Sequence, residues 1–147
     1  MALTLVERDG SEGASGSEQA PLVAIVDDDA SVRQSTARLI RSFGYRSEVF
    51  GSGREFLCSE AAERAACLLL DVRMPEMDGL DIQQRLAERG ARIPIVFLTG
   101  RASESDERRA RAAGAIEFLR KPVGEAILRQ TIENVITPGG RNDERSS

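Results

Sequence analysis

Histidine is absent from the 147-residue chain. That excludes Ser-His-Asp and Cys-His catalysis, and it excludes a phosphohistidine carrier. Lysine is almost absent: Lys121 is the only lysine, and every other basic side chain is arginine. Arginine presents a planar fork, whereas lysine is a compact point charge on a flexible stem. A chain that otherwise uses arginine throughout therefore marks Lys121 for a task arginine cannot fill. Cysteine is scarce too. Cys58 and Cys67 follow no secretory signal, since "ALTLV" is too short for a signal core and Glu7 comes after it without a basic start. The pair reads as reduced thiols of a cytoplasmic protein. No apolar run approaches the roughly 18 residues of a membrane span, so no membrane partner is expected. Clustered basic charge is lacking as well: a net charge of −4 and a pI near 5.0 argue against direct contact with nucleic acid.

Enough apolar sequence remains, 41% of residues, for one domain with a core. Residues 1–20, with the run "GSEGASGSEQ", have nothing to bury and are expected to be a disordered leader; the tail 138–147 reads the same way. Between them, residues 21–137 alternate short apolar runs with helical periodicity. Leu22 to Val26 forms a buried strand, and Val32, Thr36, Leu39, Ile40 and Phe43 then fall on one helical face before Gly44. "YRSEVF" alternates like a strand, and "SGRE" (Ser52 to Glu55) is a capping box opening a second helix. "CLLLD", "IPIVFLT" and "AIEFL" supply three further strands. The helix after Gly79 turns Leu80, Ile82 and Leu86 inward. Ser103 to Ala113 is helical but offers only alanines for burial, so the fourth helix should be the most weakly held. In the fifth helix Ile127, Leu128, Thr131, Ile132, Val135 and Ile136 make a wide apolar stripe.

Five β-α units with apolar strands predict an α/β fold, a parallel sheet with helices on both faces. Right-handed crossovers lead to a flavodoxin-like, doubly wound (βα)5 sheet with strand order 2-1-3-4-5. Ligands in such folds bind beyond the carboxyl ends of the strands, at the switch point between strands 1 and 3. The same rule gathers Asp27 and Asp28 after strand 1, Asp71 after strand 3, Thr99 at the end of strand 4 and Lys121 after strand 5. Crowded carboxylates repel and need positive charge among them. Carboxylate oxygens suit Mg²⁺, and a hydroxyl with an ammonium suits phosphoryl oxygens. Singly, each residue has a plainer alternative: Asp28 or Asp29 as a helix N-cap (Asp29 the better candidate), Asp71 as a turn residue, Thr99 bonding local backbone, Lys121 a solvated charge beside a proline. Their convergence on one edge favours a site.

Taken together, "VDDD", "LLLDVRMPEMDG", "FLTG" and "FLRKP" resemble the receiver domain of bacterial two-component response regulators, over Leu22 to about Ile136. The resemblance implies that Asp71 is the phosphoacceptor, taking a phosphoryl group from a histidine kinase or phosphotransfer protein. It implies that Asp27, Asp28, Asp71 and the backbone carbonyl of Arg73 hold Mg²⁺, that Thr99 and Lys121 contact the phosphoryl oxygens, and that the Lys121–Pro122 bond is cis. Phe118 matches the switch aromatic, where many relatives carry Tyr. "RMP" and "TG" are similar to receivers of the FixJ type. Those carry a DNA-binding domain, whereas here only residues 138–147 follow Thr137; the chain is expected to be a stand-alone receiver or part of something longer. The signal is expected to leave through the face made by helix 4, strand 5 and helix 5, toward a downstream protein or a second copy. This is a switching module, not an enzyme beyond self-phosphorylation and slow self-dephosphorylation. The enzyme-class alternative is a Mg²⁺-dependent aspartyl-phosphate phosphohydrolase. That class looks for an acidic residue two positions after the nucleophile, where this chain has Arg73, which cannot donate a proton. A nucleotide-binding doubly wound domain would need a Gly-rich loop after strand 1, and "DDDASV" is not one.

Overall fold

The computed structural model describes residues 20–137. The expected leader 1–20 (Ala20 apart) and tail 138–147 lie outside them. β1 (Leu22–Val26), β2 (Arg46–Phe50), β3 (Cys67–Leu70), β4 (Ile95–Thr99) and β5 (Glu117–Arg120) form one parallel sheet in the order β2-β1-β3-β4-β5. Because β1 and β3 are central, both faces of each must be apolar. Leu22, Ala24, Val26, Leu68 and Leu70 join a core on one face; Val23, Ile25, Cys67 and Leu69 join a core on the other. Burial in that second core pushes the Cys67 thiol up to about 12, so it behaves as an apolar filler, while the other thiol, Cys58, is exposed.

α1 (Ala30–Ser42) and α6 (Glu125–Ile136) cover the face holding Cys67. α2 (Gly53–Leu57), α3 (Ala61–Arg64), α4 (Gly79–Glu88) and α5 (Glu104–Ala112) cover the opposite face. Side-chain caps set the starts of these helices. Asp29 accepts the Val32 N–H at 3.2 Å; Asp78 and Asp81, then Ser103 and Asp106, form reciprocal capping boxes. α1, α4 and α5 are each followed by a left-handed glycine, Gly44, Gly90 and Gly114.

Three expectations need correction. The second helix is two short ones, α2 and α3: the Ser59 hydroxyl donates to the Phe56 carbonyl at 2.7 Å, a local bond that competes with helix continuation. Its capping box is half formed, since Ser52 accepts the Glu55 N–H, but Glu55 takes the N–H of Gly51 rather than that of Ser52. Finally, Ile127 points outward at 58% exposure. Leu128, Ile132 and Val135 are the buried stripe of α6, and a residue adjacent to Leu128 lies about 100° around the helix from it.

Candidate functional site

In a parallel sheet the strands all end at the same edge, and backbone bonds carry the ladder one residue further here. Asp27 donates its N–H to the Phe50 carbonyl at 3.2 Å, Asp71 to Val26 at 3.1 Å, and Lys121 to Thr99 at 2.8 Å. These bonds fix where the three side chains leave the sheet. The loop after β3 folds back through a tight turn in which the Met77 N–H donates to the Pro75 carbonyl at 2.7 Å, with Glu76 in the left-handed region at φ 71°. A non-glycine residue there costs on the order of 1 kcal/mol or more. The turn returns the chain so that Gly79 donates to the Val72 carbonyl at 2.8 Å. A Cβ on residue 79 would lie 2.3 Å from the Asp71 carbonyl oxygen, so only glycine lets α4 start this close to the acidic strand end.

Carboxylate oxygens of Asp27, Asp28 and Asp71 lie within 4.8 Å of one another. Asp27 and Asp71 are buried and Asp28 is exposed. Lys121 Nζ sits among them, 2.7 Å from Asp27 and 3.8 Å from Asp71, and the Lys121–Pro122 bond is cis. Asp27 also accepts the Asp29 N–H at 2.9 Å. Thr99, fully buried at the end of β4, accepts the Arg101 N–H on its hydroxyl oxygen at 3.3 Å. Burial raises the Asp71 pKa; the nearby Thr99 hydroxyl and the Lys121 charge oppose it, and the Asp27 charge adds to it. Three carboxylates against one ammonium leave excess negative charge. Converging hard oxygen donors, one on an exposed residue open to water, fit a hard divalent cation that keeps part of its hydration.

Phe118 is not among the carboxylates. Its ring is buried on the α2–α5 side, 5.6 Å from the Phe97 ring, with the Arg120 guanidinium 5.3 Å over it. Arg73 donates its N–H to Asp71 Oδ1 at 3.4 Å while its side chain pairs with Asp106. Sequence reasoning passed over three residues. Arg33 donates to the Asp27 carbonyl at 2.9 Å; Gly79 carries the close approach; Asp106 anchors Arg73. Only Asp106 left a signal, as the acidic member of the "SESD" capping box.

Comparison with known proteins agrees with this arrangement. A family model described as the response regulator receiver domain matches residues 23–133. The chain is 42% identical to the response regulator protein TmoT of Ectopseudomonas mendocina over 119 residues, 81% of this chain and 54% of that protein. It thus spans about half the length of the curated relatives it matches. Its fold resembles the chemotaxis protein CheY4 of Vibrio cholerae, with a TM-score of 0.72, 30% identity, and coverage of 79% of this chain and 98% of that one. It likewise resembles FixJ-N, with a TM-score of 0.73, 30% identity, and coverage of 79% and 93%.

Proposed function

The chain belongs to the response regulator receiver domain family of two-component signalling, and from that premise we propose that Asp71 accepts a phosphoryl group from a histidine kinase or a phosphotransfer protein. The observation that carries this reading is the Asp71 carboxylate itself, buried at the end of β3, 3.8 Å from the Lys121 ammonium and with an oxygen within 4.8 Å of those of Asp27 and Asp28. A carboxylate oxygen of Asp71 attacks phosphorus; the O–P bond forms as the donor's N–P bond breaks, and the departing imidazole keeps the electron pair and takes up a proton. Lys121 and Thr99 then meet the phosphoryl oxygens with a cation and a hydroxyl donor, so the work is positioning and electrostatics.

Asp27, Asp28, Asp71 and the backbone carbonyl of Arg73 would hold Mg²⁺, which when bound neutralises the oxygens of the incoming group. Thr99, drawn toward the phosphoryl group, vacates space beside Phe118, and the face of α5, β5 and α6 changes shape for a downstream protein or a second copy. "RMP" after Asp71 and "TG" at Thr99–Gly100 support the finer assignment to FixJ-type receivers. A cytoplasmic setting, where thiols such as Cys58 stay reduced, completes the reading. Acetyl phosphate with Mg²⁺, followed by intact mass, tests it: the wild type gains one phosphoryl group and Asp71→Asn gains none. Equal labelling of the two would sink the assignment of Asp71.

A further inference from the structure

The acceptor loop and α5 are joined by one ion pair. Arg73 lies two residues past Asp71, and its ends are committed to different elements. Its N–H donates to Asp71 Oδ1, and its guanidinium pairs with Asp106 Oδ2. Asp106, only 4% exposed, stands in the first turn of α5. Its Oδ2 also accepts the Ser103 N–H at 2.9 Å, and Ser103 Oγ accepts the Asp106 N–H at 3.0 Å. Arg109 reaches the other oxygen at 4.0 Å. A buried carboxylate stripped of its partner is costly, so Asp106 holds Arg73 in one side-chain conformation. That in turn restricts the backbone of residue 73 beside Asp71.

We propose that Asp106, acting through Arg73, is a positioning residue for the acceptor site, and that it makes the acceptor loop and the first turn of α5 one coupled unit. Displacing that turn shifts the Arg73 backbone away from the carboxylates. Occupying the carboxylate cluster, reciprocally, steadies the first turn of α5. The inference rests on the receiver reading, because it takes a divalent cation to bind beside Asp71.

The test is Mg²⁺ binding by isothermal titration calorimetry on the unphosphorylated chain, for wild type, Arg73→Ala, Asp106→Asn and the double variant. The Arg73 side chain is 44% exposed, so its truncation leaves the core intact. Asn at 106 keeps an oxygen for the Ser103 N–H while losing the charge. Each single variant should bind Mg²⁺ about fivefold more weakly, at the low end of site-to-site couplings. The double variant should be no weaker than either single one. In the wild type, Mg²⁺ should also slow amide exchange at residues 105–108, and in the variants it should not. Wild-type affinity in both single variants, or losses that multiply in the double variant, would overturn the coupling, since two separate structural defects multiply. A wild type that takes up no Mg²⁺ would overturn the metal part of the receiver reading and the coupling with it.

Discussion

The two helices that flank β5 are attached to the sheet by different physics. α6 buries Leu128, Ile132 and Val135, each contributing about 1.5–3 kcal/mol of apolar burial. α5 buries only Ala110 and the charged Asp106, and one alanine methyl contributes about 0.8 kcal/mol. α5 is instead tied by polar contacts on three sides. Arg73 pairs with Asp106. The Gln83 amide, buried, donates to the Ala110 carbonyl at 3.0 Å. Arg120 donates to the Ala102 carbonyl at 2.7 Å and pairs with Glu107 at 3.1 Å. Apolar burial is non-directional and tolerates small shifts, whereas hydrogen bonds are made or lost over less than an ångström. The helix with little apolar attachment is therefore the one with a defined set of contacts to exchange, and it is the one joined to the acceptor loop.

The contrast can be broken at α6 most heavily. Ile132→Ala should cost about 2–5 kcal/mol of global stability in urea unfolding, as cavity-forming core truncations do. A loss below about 1 kcal/mol would mean that α6 is not held by its apolar stripe. At α5 the matching change is Gln83→Ala, which removes the side-chain bond to the Ala110 carbonyl while the Ala115 N–H still holds that oxygen at 3.0 Å, and it should cost about 0.5–1.5 kcal/mol. Its signature should be faster amide exchange across 104–112 with α6 unchanged; equal acceleration in both helices would erase the distinction.

Acid should separate the regions by sign. The backbone bond from Ser103, then the Arg73 charge, hold the Asp106 pKa below its ordinary value against the effect of burial. A depressed carboxyl contributes stability above its unfolded pKa, about 3.9, and loses it as pH falls through the folded value. Exchange protection in α5 should therefore drop below about pH 4. Asp71 runs the other way. Its pKa is raised by burial, so its contribution is complete below the unfolded pKa and is lost as pH rises through the folded one. Asp71→Asn should accordingly stabilise the chain at neutral pH, an advantage that shrinks as pH falls toward about 4. The smallest effect belongs to salt. The exposed pairs of Glu107 with Arg111 and Arg120 lie in water and contribute little. Near 1 M NaCl they should be screened, loosening α5 slightly and leaving α6 as it was; a loosened α6 would show the screening is not specific to α5.

Much of this layout was legible in the sequence because its signals are local. Apolar runs bounded by Asp or Thr locate the strand ends, β1 falls on Leu22–Val26 as read, and the β2-β1-β3-β4-β5 order follows from repeated β-α units. Once the sheet is parallel, "the residue after the strand" becomes a place in space, which is why Asp27, Asp71, Thr99 and Lys121 could be expected at one edge. What escaped is long-range or a matter of angle. Arg73 meets Asp106 across 33 residues and Gln83 meets Ala110 across 27, separations at which no periodicity operates. Ile127 was assigned to the apolar stripe of α6, but it lies on the outer side of Leu128 and stays 58% exposed. The weak hold on α5 was inferred from its alanines alone, which missed the polar ties that replace a hydrophobic face.

The two thiols of this fold differ enough to be told apart by a reagent. Alkylation requires the thiolate, and Cys67, enclosed beneath α1 and α6 with its ionisation pushed to about 12, has almost none at neutral pH. Cys58, exposed at the C-terminal end of α2, is left as the single position a maleimide dye would mark in the folded chain. In a protein without tryptophan and with one tyrosine, that gives an optical reporter without mutation, and labelling at Cys67 would announce that the sheet has opened.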